Sequence, residues 1–505
     1  MFARDEFSSP APARLDDITA RPLPWVHAAR RAPYFTTDDG EPWTPVGHND
    51  AIAWPPLLWL LDRTDDPDAY FRSLQSHGIT CLRLMLEYAQ HDHHLLERPV
   101  GHFRPRMVAR WDRLFSLAQQ YSIRVLLTPF DTFWMWKRWR RHPYNSANGG
   151  PCRSRRVFLT CPGARAAIKR RLAFAIDRWG GDGALFAWDL WNEIHPAYAQ
   201  DDVGAFNEFI ADLATFVRER ERGRYGRAHP ITVSAFGPML HGAFGSRELG
   251  HTIPDPRAAA AVFRHPALDF ATVHTYAHGT IDDPANTVDA AIAMGALTRT
   301  SISQIHDRRP FFDSEHGPIH TFKDKRRTLP EHFDDEYFRH VQWAHMASGG
   351  AGGGMRWPNR RPHALTPGMH GAQRALASYL PLVDWLDFDR RNLNEEIGVS
   401  PGHFAVFGSG DRHQAALWVV RRAPLARDGR LCRIEAPDRV TLQIPGLLGG
   451  AYRITTFNTE AGIVEARFEA ATAEGPLRFE VPVLRDLALA IRPAAQADGS
   501  HRVNR

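Results

Sequence analysis

The stretch Ala184-Leu185-Phe186-Ala187-Trp188-Asp189-Leu190-Trp191-Asn192-Glu193 decides the fold. It reads as a strand of apolar residues that ends on a polar pair, and the sequence after it, 202–222, has strong helical periodicity. A buried strand followed by a helix is the repeating unit of a parallel α/β sheet. Outward from it the same unit recurs. Towards the N-terminus, strands are predicted at Thr44–Asn49, Ile79–Leu86 and Ile123–Pro129, with helices over 66–77, 106–121 and 163–178. Towards the C-terminus, strands are predicted at Pro230–Ala235, Leu268–Tyr276, Pro310–Glu315 and Gly354–Trp357, with helices over 256–264, 284–303, 333–347 and 371–380. Eight such units fit an α/β fold of the (β/α)8 TIM barrel type. A doubly wound sheet is the alternative, but no strand leads into a GxGxxG or GKS/T turn.

The 505 residues exceed one compact core. A barrel over 27–388 is expected to follow an extended N-terminal arm, 1–26. The hairpin Pro33–Trp43 turns at Asp39-Gly40 near the start of this barrel. Beyond about residue 390 short alternating segments replace the helical periods: His403–Phe407, Ala415–Val420, Val440–Ile444, Tyr452–Phe457, Leu477–Val481 and Leu487–Ile491. They predict a C-terminal antiparallel β-sandwich over 389–495, with a tail at 496–505.

Composition excludes several classes. Hydrophobic residues make up 43% and charged residues 24%, ordinary globular usage, and a net charge of +5 comes without a lysine run or basic-helix pattern. No nucleic-acid partner is therefore expected. No apolar run reaches the ~20 residues of a membrane span, so no membrane partner is expected either. The N-terminal segment carries acids and prolines where a secretory signal needs an apolar core, which predicts a cytoplasmic location. A homo-oligomer is left open. The four cysteines form no framework: Cys81 reads as a buried small residue, Cys152 and Cys161 could pair across one loop, and no CxxC spacing suggests zinc. The cluster Gln90-His91-Asp92-His93-His94 fits no zinc motif and reads as a solvated loop. No metal and no cofactor is expected.

Two carboxylates stand where chemistry collects. All strand C-termini of a parallel barrel open on one face. Glu193 ends the fourth strand among apolar walls such as Trp191, where desolvation would keep a carboxyl protonated. A capping Asn-Glu pair would look the same. Glu315, in Phe311-Phe312-Asp313-Ser314-Glu315-His316-Gly317-Pro318, ends the seventh strand. Such a pair can approach to the ~5–5.5 Å at which one acts as nucleophile and the other protonates a leaving oxygen. Asp313, two residues earlier, should face the same interior.

In these residues the chain resembles the clan of retaining (β/α)8-barrel glycoside hydrolases with glutamates on strands four and seven. The pattern is most similar to glycoside hydrolase family five, the cellulases and mannanases, or to a separate family of that clan, over about residues 33–385. The resemblance implies Glu193 as acid/base and Glu315 as nucleophile. It implies Asn192 on the sugar 2-hydroxyl, Arg83 beside the nucleophile, His274 and Tyr276 as the strand-six pair, and Trp357 as the floor of the sugar pocket. Of that pair, the phenol is expected to hydrogen-bond the nucleophile. The chain departs from the pattern at His316, where the clan has another aromatic, and after strand three. There Thr128-Pro129-Phe130-Asp131-Thr132-Phe133-Trp134 lacks the usual histidine, so Asp131 is a candidate for sugar binding.

Bland readings accompany these. Arg83 could pair any barrel carboxylate, His274 could be a satisfied core histidine, and Trp357 could plug the barrel end.

The loop after strand three holds Lys137, Arg138, Arg140, Arg141, Arg153, Arg155 and Arg156 between Thr132 and Cys161, with no Asp or Glu. Trp134, Trp136 and Trp139 are interleaved, and strand eight adds Arg356, Arg360 and Arg361. Guanidinium forks beside indoles suit a carbohydrate substrate that is acidic. The competing reading pairs them with acids of other loops or of a second subunit. The function expected is hydrolysis of a β-glycosidic bond through a covalent glycosyl-enzyme. The alternatives are a transglycosylase using the same dyad and a catalytically silent carbohydrate-binding barrel.

Overall fold

Alternating apolar runs become the staves of one parallel sheet. The computed structural model describes residues 22–50, 67–86, 95–237, 257–276, 281–319, 327–360 and 363–494. Strands β1 (Val26–Ala28), β2 (Phe35–Thr37) and β3 (Pro42–Trp43) form a small antiparallel sheet. The staves follow: β4 (Gly47–Asn49), β5 (Cys81–Met85), β6 (Arg124–Thr128), β7 (Leu185–Asp189), β8 (Ile231–Thr232), β9 (Ser234–Phe236), β10 (Ala271–Thr275), β11 (Phe311–His316) and β12 (Met355–Arg356). All pair in parallel, in the order β8-β7-β6-β5-β4-β12-β11-β10-β9. β8 and β9 are two halves of one stave interrupted at Val233, each serving one neighbour, so the sheet closes as a TIM barrel.

The helices are α1 (Pro67–Ser76), α2 (Pro105–Gln120), α3 (Thr132–Arg138), α4 (Pro162–Trp179), α5 (Val203–Tyr225), α6 (Arg257–Phe263), α7 (Thr287–Ser303), α8 (Glu331–Ala347) and α9 (Pro367–Tyr379), all where periodicity places them except α3, which forms within the stretch read as a loop. Proline opens α2, α4 and α9, where its missing N–H costs nothing. None of the described helices is long and apolar enough to cross a membrane.

The β2–β3 hairpin plugs the barrel at the strands' N-terminal ends. Phe35 meets Phe186 at 5.0 Å and Phe270 at 5.5 Å edge-on, while Phe270 stacks on Phe312 at 5.6 Å. Full burial of such a side chain stabilises by roughly 1.5–3 kcal/mol. Trp25 and Val26, assigned from sequence to the arm, are instead buried, with Trp25 stacked on His229. A large aromatic surface against a packed ring makes this end of the arm part of the fold.

Beyond the barrel, β13 to β21 are Arg391–Asn392, Gly398–Ser400, Phe404–Gly410, Ala415–Arg421, Asp438–Ile444, Gly450–Asn458, Ile463–Thr472, Leu477–Val483 and Asp486–Pro493. They make a six-stranded and a three-stranded antiparallel sheet, a β-sandwich. A buried ion pair at 2.6 Å, Arg339 of α8 with Asp486 of β21, joins it to the barrel.

Candidate active site

Arg83, in the middle of β5, is buried and organises the barrel mouth around it. Its Nε donates to Asp189 Oδ2 (3.2 Å), and Nη1 donates to Asn49 Oδ1 (2.9 Å) and Glu315 Oε2 (2.8 Å). Nη2 donates to Asp189 Oδ2 (2.7 Å) and Asn192 Oδ1 (2.6 Å). All five N–H groups of the fork are used, which no lysine could reproduce. Asp189, at the end of β7, also accepts from Ser234 Oγ (2.9 Å), so it neutralises the arginine without touching the cleft. Sequence reasoning passed over Asn49, Asp189 and Ser234. The signal for Asp189 was present, since a buried arginine requires a buried acid on a neighbouring strand end. Arg83→Lys is expected to lower kcat/KM by about 10²-fold through misplacement of Glu315. Arg83→Ala, which strands two buried acids, is expected to cost about 3–5 kcal/mol of stability. Steady-state kinetics and denaturant midpoints check both, and wild-type kinetics in Arg83→Lys would remove the arginine from the site's geometry.

Glu193 and Glu315 face each other. His274 Nδ1 lies 2.9 Å from Glu193 Oε1 and 3.7 Å from Glu315 Oε2, and one ligand atom of each of the three groups falls within 4.8 Å of the others. Glu193 sits just past β7 at φ +52°, a left-handed backbone that costs a non-glycine residue roughly 1–2 kcal/mol. The turn is held by the amide of Ile194 on Ser234 O (3.0 Å). Tyr276 Oη donates to Glu315 Oε1 at 2.5 Å.

The two carboxyls are electrostatically unequal. Burial and then the nearby charges of Glu315 and Asp131 push Glu193 well above the ordinary carboxylate range, against a smaller opposing pull from Arg83. Burial also raises Glu315, but Arg83 and the Tyr276 hydroxyl oppose the rise. Of the two, Glu193 holds its proton the more strongly. Burial and Arg83 hold His274 neutral, so its ring orients Glu193 without charging it. Glu193 keeps 18% side-chain exposure against 8% for Glu315, so a leaving group can reach it. The same three groups could also hold a divalent ion, with Arg83 opposing it from behind Glu315.

Other expected residues divide. Asn192 Nδ2 donates to Asp131 Oδ1 (2.7 Å), and that oxygen also accepts from the Phe133 amide (3.1 Å), so the buried Asp131 positions Asn192. Trp357 follows β12, its amide bonded to His316 O at 2.8 Å beside the end of β11. The Trp134 side chain, Arg361 and the cluster Gln90–His94 lie outside the described residues. Arg356 does not join the cleft: it is fully buried and paired with Asp334 of α8 at 2.6 Å, and Arg360 shares that acid. A buried guanidinium needs a partner anion, and the helix supplies it.

Asp313 also departs from expectation. The β10–β11 register shifts so that Val273 pairs Asp313 while His274 pairs Glu315. This bulge breaks the two-residue alternation. The Asp313 Oδ1 accepts from the spare amides of Thr275 and Glu315, both at 3.2 Å. Cys152 and Cys161 are free thiols, and burial raises Cys152 to about 11.

Comparisons with known proteins agree with this architecture. No family model matches the chain. It is 24% identical over 314 residues to mannan endo-1,4-beta-mannosidase 1 of Oryza sativa subsp. japonica, covering 55% of this chain and 66% of that one. It is 22% identical to mannan endo-1,4-beta-mannosidase 2 of the same plant, over 67% and 77% of the two chains. It is 23% identical to mannan endo-1,4-beta-mannosidase 7 of Arabidopsis thaliana, over 43% and 52%. The chain thus spans from about half to about three quarters of the lengths of these relatives. A glycoside hydrolase family 5 structure from Bacteroides vulgatus superposes with a TM-score of 0.60 at 11% identity, covering 94% of this chain and 95% of that one. A structure described as a glycoside hydrolase also gives 0.60, at 10% identity over 94% and 98%. In sequence the chain is similar to these mannosidases, and its fold is that of (β/α)8-barrel glycoside hydrolases, family 5 among them.

Proposed function

We propose that the chain is a retaining glycosidase that cleaves a β-linked glycan of the mannan type by double displacement. The observation that carries this reading is the pair of opposed glutamates, with an oxygen of each within 4.8 Å of the other and unequal hold on a proton. That spacing matches the ~5–5.5 Å of retaining pairs rather than the ~6.5–9.5 Å that inverting pairs keep for a water, which supports direct attack by the ionised carboxylate. Glu315, aimed by Arg83 and Tyr276, forms the bond to the anomeric carbon as Glu193 protonates the departing oxygen. Glu193, now ionised, then takes a proton from the water that breaks the glycosyl-enzyme ester. The mannan substrate class rests on the three plant relatives.

The test is the anomer released. NMR spectra taken within the first minutes of manno-oligosaccharide hydrolysis should show the β-anomer before mutarotation. An α-anomer first, or no hydrolysis across mannan, glucan and xylan, rejects the reading.

Turnover should depend on pH as a bell. The acid limb follows deprotonation of Glu315 and the alkaline limb deprotonation of Glu193, and both lie above ordinary carboxylate values. Tyr276 donates to the charged form of Glu315 and lowers its pKa. In Tyr276→Phe the acid limb of kcat/KM should therefore move to higher pH while the alkaline limb stays. An unmoved acid limb would detach Tyr276 from the ionisation of Glu315.

A further inference from the structure

The segment 132–161 folds with its neutral residues inside and its cations outside. His142, Tyr144, Cys152 and Phe158 are buried. Tyr144 Oη donates to Glu97, which also pairs Arg171 at 2.6 Å, and Phe158 packs on Trp191 at 5.6 Å. The loop is thus anchored to the wall behind Asn192 and Glu193. Arg138, Arg140, Arg141, Arg153 and Arg156 are exposed, and none makes an ion pair among the described residues. Pairing with acids of other loops, one half of the competing reading, is not seen among the described residues; the other half, a second subunit, is not tested by a single chain. Uncompensated like charge held on a rigid surface costs stability through self-repulsion, so its retention calls for an external anion.

Backbone bonds tie the loop to the chain that follows Glu193. Leu159 N bonds Tyr198 O (3.0 Å) and Gln200 N bonds Arg156 O (3.2 Å), which staples the loop to the turn just after Glu193. Arg155 donates to Trp136 O (2.8 Å), and its charge reaches Tyr198 together with that of Asp131. Trp136 is 37% exposed among these cations, with the Lys137 ammonium over its ring at 4.5 Å.

We propose that this surface extends the substrate cleft and binds a polysaccharide whose sugars carry carboxylate or sulfate groups. The inference rests on the glycosidase reading for the cleft, and charge complementarity together with attachment of the loop to the chain following Glu193 favours a glycan over another polyanion.

The test uses the full chain carrying Glu315→Ala, so that binding is read without turnover. The probes are galactomannan, its carboxymethylated and sulfated forms, a 20-base-pair DNA duplex and vesicles containing anionic phospholipid. At low salt the charged glycans should bind about tenfold more tightly than the neutral one, the sum of several weak screened contacts, and the preference should vanish as salt rises. Replacing Arg138, Arg140, Arg141, Arg153 and Arg156 together by Gln should erase the preference and leave neutral galactomannan binding unchanged. The pair Arg153→Gln and Arg156→Gln serves as a milder variant, and the salt series needs none. Equal affinity for neutral and charged glycans, or an unaltered preference in the variants, overturns the proposal. DNA or vesicles bound more tightly than the charged glycans overturn it too. Failure of the two readings is separable. Wild type that cleaves neutral mannan without charge preference removes only this inference. Binding preference with no hydrolysis of any glycan removes only the glycosidase.

Discussion

Glu315→Ala is expected to reduce turnover by at least about 10⁴-fold, because removal of a covalent nucleophile abolishes the step that all others serve. The substitution leaves a gap in front of the anomeric carbon, lined by the Tyr276 hydroxyl, which has lost its acceptor, and Arg83 Nη1, which has lost one of two. A small anion such as azide fits both the space and the charge. Added azide should restore part of the activity on an activated aryl glycoside. It should give a glycosyl azide of inverted configuration, since it enters from the face Glu315 occupied. A second signature separates this role from a structural one. The charge of Glu315 is among the largest causes holding Glu193 protonated. In the variant the pKa of Glu193, read by NMR titration of its carboxyl, should therefore fall. A loss under 10²-fold, or an azide product of retained configuration, would take the nucleophile's role from Glu315.

The two glutamates were legible because each ends an apolar strand, and parallel strands must open their C-termini on one face. The staves were legible for the same reason, although Ala184–Glu193 contributes ladder only over Leu185–Asp189 before it bends into the mouth. What local pattern does not encode is register. Two-residue alternation put Asp313 beside Glu315, but a single extra residue on β11 reverses that parity and turns Glu315 towards His274. Pairing over long sequence separation was hidden too. Nothing near Arg356 in sequence shows that Asp334 will bury it, and nothing near Asn49 shows that it will meet Arg83 from another stave. β19 went unread although Val464, Ala466, Phe468 and Ala470 alternate along it, because Glu465, Arg467 and Glu469 break the apolar run and the strand, at the sheet edge, buries that face only in part.

Glu193→Ala should divide substrates by their leaving groups. A sugar hydroxyl departs poorly unless protonated, so cleavage of manno-oligosaccharides is expected to fall by about 10²–10⁴-fold. A dinitrophenyl glycoside needs no proton, and its glycosylation step should be nearly unchanged. Its steady-state rate should fall, because the ester to Glu315 then waits for water without a base, and the accumulated intermediate should lower KM with kcat. Azide, which needs no base, should release that ester and give a glycosyl azide of retained configuration, the opposite outcome to Glu315→Ala. His274 sharpens the test. Its Nδ1 bonds Glu193 at 2.9 Å but stands 3.7 Å from Glu315. His274→Ala should therefore shift the alkaline limb, which belongs to Glu193, more than the acid limb. Equal loss on both leaving groups without azide rescue would leave Glu193 a structural residue. The raised proton affinity that burial and Glu315 impose on it would then have no catalytic use.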